Sequence, residues 1–224
     1  MKQNSISLSH PSKLVHGKVQ LTGSKSESNR ALIIQALSEG KVKIENLSEA
    51  ADTVTLEKAL SEVKRSLSDN NSSSESELTI DVGPAGTAMR FLTAYLSLQS
   101  GNFFLTGSKR MKERPIGILV DALKSIGGNI DYTEQAGYPP MKIAGPFSQQ
   151  SKEVSIKGNV SSQYLSALLL TANALPEGLT LSIEGELTSR PYLMMTLEML
   201  KEAGIQHQWV DNTITILPQN AQEA

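Results

Sequence analysis

Apolar residues follow two rhythms along this chain. Short stretches largely alternate apolar with polar, as in "KVQLTG", "KVKIENL", "ELTIDVG", "EVSIKG", "LTLSIEG" and "NTITILP". A period of two marks a strand with one face buried. Longer stretches carry apolar residues three and four apart: "RALIIQAL", "DTVTLEKALSEVK", "IGILVDALKSIGG", "SSQYLSALLLTANAL" and "RPYLMMTLEMLKEAG". That spacing lines one side of a helix. Strands and helices interleaved in this way predict an α/β domain with helices packed against mixed sheets.

The elements recur in three copies. The first runs "KVQLTG", "RALIIQAL", "KVKIENL", the helix from Asp52, and a closing strand "ELTIDVG". The second opens at "GPAGTAMRFLTAYLSL" and continues through "GNFFLTG", "SKRMKERP", "IGILVDALKSIGG" and "PPMKIAG". The third runs from "EVSIKG" to "NTITILP". "ERPIGILVDALKSIGG" and "SRPYLMMTLEMLKEAG" share an Arg-Pro start and a glycine stop, the residues that helix ends favour. The period is roughly 60–75 residues, longer than the common repeat periods of about 20–50. One such unit cannot cover both its faces, so three are expected to pack into one domain. A polar stretch of low complexity, "SLSDNNSSSESE", interrupts the pattern and is expected to be a mobile surface loop.

Composition narrows the possible functions. A net charge of −2 over 224 residues provides no global field for nucleic acid or an anionic membrane, and 4% aromatics leave little for stacking bases. With no cysteine there is no disulfide, thiolate site or cysteine nucleophile. His10, His16 and His207 lack ligand-like spacing, so no metal is expected. "GSKSESNR" does not have the Walker spacing, and no GxGxxG follows a strand. The first residues have no signal-peptide core, and "YLSALLLTANAL" is too short to span a bilayer, so a cytoplasmic protein is expected.

Candidate chemistry gathers at helix entrances, where unpaired backbone N–H groups and positive partial charge attract anions. The first copy places Lys25, Ser26, Ser28 and Arg30 there. The second has Gly86 and Thr87, with Arg110, Lys112 and Arg114 before its other helix. The third has Ser161, Ser162 and Gln163, then Ser189, Arg190 and Tyr192. Arginine forks, a lysine charge and directional hydroxyls suit a small, multiply anionic, hydroxyl-bearing ligand. Taken singly, each has a plainer use: Ser161 and Ser162 as helix caps, Glu113 in a surface ion pair with its basic neighbours, Tyr192 in the core.

The motifs "GSKSESNRALIIQAL", "GPAGTAMRFL", "LTGSKRMKERPIGILVDAL", "VSSQYLSALLLTA" and "SRPYLMMTLEML" resemble, in order, those of the 5-enolpyruvylshikimate-3-phosphate synthases, a family of enolpyruvyl transferases. The resemblance implies a pseudo-threefold domain of βαββαβ units, one half of such an enzyme. It implies transfer of the enolpyruvyl group of phosphoenolpyruvate to the 5-hydroxyl of shikimate 3-phosphate, with release of phosphate and no organic cofactor. Lys25 matches the lysine between the two substrates. Ser26 and Arg30 match positions holding shikimate. Ser161, Ser162 and Ser189 match the phosphate contacts, with Gln163 and Tyr192 beside the ring. Gly86, Thr87, Arg114 and Gln163 match the phosphoenolpyruvate side. Pro84 stands where the family often has asparagine.

The family pattern also continues into a second domain that carries its acid–base residues. Residues 1–16 are therefore expected to pair with that absent domain, 17–218 to bind shikimate 3-phosphate, and 219–224 to lie at the hinge. Two other functions fit the same fold: a non-catalytic anion-binding module, and the related transferase acting on a UDP-linked amino sugar (UDP-N-acetylglucosamine).

Overall fold

The computed structural model describes residues 9, 11, 12, 14, 16–68 and 77–222. In chain order the helices are α1 (Lys25–Leu37), α2 (Ala51–Ser68), α3 (Gly86–Ser97), α4 (Lys109–Lys112), α5 (Gly117–Ser125), α6 (Ser162–Ala172) and α7 (Arg190–Glu202). The strands are β1 (Glu77–Asp81), β2 (Gly101–Thr106), β3 (Asn129–Tyr132), β4 (Met141–Gly145), β5 (Glu153–Lys157), β6 (Leu179–Glu184), β7 (His207–Val210) and β8 (Thr213–Ile216). They form two four-stranded sheets of identical plan, ordered β1-β2-β4-β3 and β5-β6-β8-β7. In each, the first pair is parallel and the others antiparallel.

The α/β architecture of helices on mixed sheets is therefore present, but the order of elements differs from the expected βαββαβ. Each sheet belongs to a β-α-β-α-β-β unit, with α4 an extra turn in the first. Glu77–Asp81, expected to close the first copy, instead opens the second: it pairs parallel with β2. A parallel pair needs a crossover between its strands, and α3 supplies it.

The first copy has no sheet among the described residues. "KVQLTG" and "KVKIENL" are extended but are not strands. Val19 and Leu21 are 81% and 83% exposed. Two neighbouring strands with no third are marginal in water, and no described hairpin follows α2 as β3-β4 follows α5. Val42, Ile44 and Leu47 nevertheless pack on the core, and Ser28 Oγ accepts the Ser48 amide at 3.0 Å, tying this segment to α1. Of the stretch expected to be a mobile loop, residues 69–76 lie outside the described residues, as do most of residues 1–16.

Helix α3 is buried along its whole length and packs against α6, which is buried from Tyr164 onward. Two hydroxyls within α3 are satisfied inside the helix: Thr93 Oγ1 donates to Met89 O at 2.7 Å and Ser97 Oγ to Thr93 O at 2.8 Å. The glycine stops act alike in both complete copies. Gly127 and Gly204 adopt φ of 115° and 80°, a region that costs a residue with a side chain roughly 1–2 kcal/mol. Gly128 N then reaches Leu123 O at 2.8 Å, and Ile205 N reaches Leu200 O at 2.9 Å, the closing bond of a Schellman end. Residues 219–222 dock onto the body, with Gln222 N donating to Ala203 O at 2.9 Å. Among the described residues no helix is long and apolar enough to cross a membrane.

Candidate active site

Helices α1, α6 and α7 meet around Arg30. Ser24 caps α1, its side chain accepting the Glu27 amide, which leaves Lys25 exposed on the first turn and Ser26 half-buried behind it. One turn further, Arg30 is only 3% exposed. Its Nε donates to Thr196 Oγ1 at 2.7 Å, Nη2 to Ser166 Oγ at 2.9 Å, and Nη1 to Ser26 O at 2.8 Å. A longer contact of 3.5 Å joins Nη2 to Tyr192 O. The Phe91 and Tyr192 rings lie 5.6 and 5.8 Å from the guanidinium carbon. Among the described residues Arg30 has no carboxylate partner. Burial lowers its pKa to about 10, against an opposing pull from Tyr192.

A second cluster lies at the entrance of α3. Gly86 is the first residue of that helix, and a methyl group there would overlap the Arg114 guanidinium. The next residue, Thr87, accepts a hydrogen bond from Gln163 Nε2 at 3.1 Å. Arg114 and Gln163 therefore flank one helix N-terminus from two different elements. Buried Arg90 fixes the ground beneath them. Its Nη1 donates to Gly86 O at 3.1 Å and its Nη2 to Pro115 O at 2.9 Å. Tyr164 OH donates to the same Pro115 carbonyl at 2.6 Å. Desolvation lowers the Arg90 pKa; the Tyr164 phenol opposes this and the nearby Arg114 charge adds to it. Two guanidinium groups beside a helix N-terminus favour an anion.

Helix α6 joins the clusters: Gln163 reaches one and Ser166, one turn on, reaches the other. Ser161 caps α6, its side chain accepting the Gln163 amide at 3.4 Å, while Ser189 precedes α7 without a capping bond from its hydroxyl. The two approaches are stitched together by Thr188 N donating to Gly158 O at 3.3 Å. Ser161, Ser162, Ser189 and Tyr192 thus stand on adjoining helix starts, and none is deeply buried.

Two basic residues face elsewhere. Arg190 lies over the Trp209 ring at 4.3 Å. Lys112 pairs with Glu134 at 2.6 Å rather than with Glu113. A groove of about 690 Å³ runs along another flank of α1, against α7. Its charged lining is mostly acidic (Glu27, Glu45, Glu198 and Glu202, against Lys43), the wrong sign for an anionic ligand, so the helix entrances remain the better site.

Arg90, Tyr164, Ser166 and Thr196 were not among the sequence candidates. Arg90 was detectable, since "SNRAL" and "AMRFL" align, and both arginines donate back to the carbonyl four residues earlier. Ser166 and Thr196 show only as lone hydroxyls within apolar helices.

The family profile described as EPSP synthase (3-phosphoshikimate 1-carboxyvinyltransferase) matches residues 9–224. The chain belongs to this family. A 3-phosphoshikimate 1-carboxyvinyltransferase of Bacteroides fragilis strain YCH46 is 46% identical over 213 residues, 95% of this chain and 48% of that protein. One from Pectobacterium atrosepticum strain SCRI 1043 is 46% identical over 216 residues, 91% of this chain and 50% of that one. The solved EPSP synthase of Acinetobacter baumannii superimposes with a TM-score of 0.73 over 92% of this chain and 48% of its own, at 22% identity, which speaks to the EPSP synthase fold. The chain spans about half the length of the curated relatives it matches.

Proposed function

We propose that this chain is the shikimate 3-phosphate-binding half of an EPSP synthase. The whole enzyme transfers the enolpyruvyl group of phosphoenolpyruvate to the 5-hydroxyl of shikimate 3-phosphate and releases phosphate, on the route to chorismate and the aromatic amino acids, in the cytoplasm. Ser161, Ser162 and Ser189 hold the phosphate of shikimate 3-phosphate. Gln163 and Tyr192 lie beside its ring, and Ser26 and Arg30 hold its remaining anionic group, the carboxylate. Gly86, Thr87, Arg114 and Gln163 receive phosphoenolpyruvate at the entrance of α3. Lys25, exposed at the tip of α1, offsets the negative charge that builds as the hydroxyl adds to phosphoenolpyruvate. Residues 17–218 make up this binding half, 1–16 pair with the second domain, and 219–224 lie at the hinge.

The observation that carries this reading is the convergence along α6: Gln163 on Thr87 at 3.1 Å and Ser166 on Arg30 at 2.9 Å. It joins a site for one anion to a site for another, which is what a two-substrate transfer requires. Proton transfer needs positioned acid–base groups, each typically contributing roughly 10²–10⁴-fold. The family's motifs assign no carboxylate of this chain that role, so the chain by itself binds but turns over little.

Isothermal calorimetry of the chain with shikimate 3-phosphate tests the binding, and silence at millimolar ligand overturns it. Preferential binding of UDP-N-acetylglucosamine would point instead to the amino-sugar transferases. Adding the complementary carboxy-terminal polypeptide is expected to restore phosphate release; full turnover without it would refute the division of labour.

A further inference from the structure

Arg30 is a buried cation surrounded by neutral oxygens, and hydrogen-bond accounting fixes how those oxygens are oriented. A hydroxyl has one hydrogen to donate and two lone pairs to accept with. Thr196 Oγ1 donates its hydrogen to Tyr192 O at 2.8 Å and accepts from Arg30 Nε at 2.7 Å. Ser166 Oγ lies 3.0 Å from Thr196 Oγ1. With the threonine hydrogen on Tyr192 O, the serine is the donor in that contact. Ser166 in turn presents a lone pair to Arg30 Nη2 at 2.9 Å. Whichever hydroxyl donates to the other, both accept from Arg30, so two lone pairs face the same edge of the guanidinium.

That edge, Nε and Nη2, is therefore held by the protein. Of the five N–H groups, one on Nη1 goes to Ser26 O and one on Nη2 makes only the 3.5 Å contact with Tyr192 O. The second N–H on Nη1 has no acceptor among the described residues. With Ser26 O on the outer Nη1 hydrogen, these last two form the Nη1–Nη2 edge, which matches the two oxygens of a carboxylate.

We propose that Ser166 and Thr196 are positioning residues for shikimate 3-phosphate: their linked hydroxyls clamp one edge of Arg30 so that the opposite edge is set to receive the ligand's carboxylate. The proposal rests on the reading above that Arg30 meets the ligand. The hydroxyl pair lies along the Nε–Nη2 edge of the guanidinium and does not itself need to touch shikimate. A buried cation held only by neutral oxygens keeps most of its charge for a ligand; a carboxylate in place of Ser166 or Thr196 would cancel it.

The test is calorimetric titration of the wild-type chain and of the variants Thr196→Val, Thr196→Ser and Ser166→Ala. Each is titrated with shikimate 3-phosphate and with its carboxamide, in which the ligand's carboxylate is neutral. Thr196→Val and Ser166→Ala are each expected to weaken shikimate 3-phosphate about fivefold to tenfold, the net equivalent of one ordinary hydrogen bond. Neither should change carboxamide binding appreciably, and Thr196→Ser should restore the wild-type affinity. Equal losses for both ligands would mean that the hydroxyls only support the fold, and would overturn the proposal. So would wild-type affinity in Thr196→Val or Ser166→Ala. Should Thr196→Val fail to melt cooperatively, Ser166→Ala decides the matter alone. If the wild type binds neither ligand, it is the assignment of function that fails.

Discussion

Arg30 and Arg90 hold the same place in two copies of one motif, and each donates from Nη1 to the carbonyl four residues back. Their surroundings then diverge. Arg30 rests in hydroxyls from α6 and α7 and keeps a spare edge. Arg90 is committed to Gly86 O, Pro115 O and the Met111 sulfur at 3.6 Å, and it supports a second arginine, Arg114, which lies on Gly86. The repeat has thus kept one tether and put it to two uses. We propose that in the first copy the tethered arginine meets the ligand, whereas in the second it steadies the loop that carries Arg114. At the equivalent position the third copy has Leu165, fully buried, and contributes hydroxyls and an amide instead.

The largest effect is expected from removing the first tether. Arg30→Ala deletes a charge and at least one charge-assisted bond to the ligand, each such bond contributing roughly 1.5–3 kcal/mol, and it strands the lone pairs of Ser166 and Thr196. Calorimetry should show shikimate 3-phosphate affinity falling by roughly 100-fold or more. An unchanged affinity would mean that Arg30 is purely structural and that the two tethers do not differ.

Gly86→Ala strikes the second cluster by pushing the Arg114 guanidinium aside. In the chain combined with its complementary half, KM for phosphoenolpyruvate should rise roughly tenfold or more, tenfold corresponding to about 1.4 kcal/mol. Shikimate 3-phosphate binding should hold. A loss on both sides would show that the clusters act as one. Tyr164→Phe is a gentler form of the same test. It removes one neutral hydrogen bond to Pro115 O, a net contribution of roughly 0.5–1.5 kcal/mol, while Arg90 still holds that carbonyl. A severalfold rise in the same KM is expected, smaller than that for Gly86→Ala.

A last pair of substitutions tests the copies apart from any ligand. Gly127→Ala and Gly204→Ala each force an alanine into the left-handed region, at a cost of roughly 1–2 kcal/mol. At Gly127 the added methyl would also run into the Ser148 carbonyl, whereas at Gly204 it meets only the Gln222 side chain. Chemical denaturation should therefore rank Gly127→Ala as the more destabilising. Equal losses would imply that the neighbouring backbone yields as easily as a side chain.

Much of this was legible before any coordinates. The start of α6 is marked by Ser161, whose side chain does cap, and the ends of α5 and α7 by glycines that take the expected conformation. Such signals are local: a cap or a stop acts within one turn, so a few adjacent letters contain the whole cause. β3 and β7 escaped notice because each is defined mainly by pairing with its hairpin partner, whereas β8, equally short, is legible from its repeated Thr-Ile. The opposite error occurred at "KVQLTG". Its alternation is genuine, but a strand needs neighbours, and none is present among the described residues.

The same contrast runs through the site. Sequence alone determined which helix starts carry small residues, hydroxyls and positive charge, because capping and helix polarity are decided by neighbours along the chain. Only the tertiary structure decided that Ser166 and Thr196, 136 and 166 residues beyond Arg30, face the same guanidinium, and that Arg114 lies on Gly86. Those contacts depend on how α6 and α7 pack across α1 and α3. Packing is settled by the shape of the whole core, and no local stretch of letters encodes it.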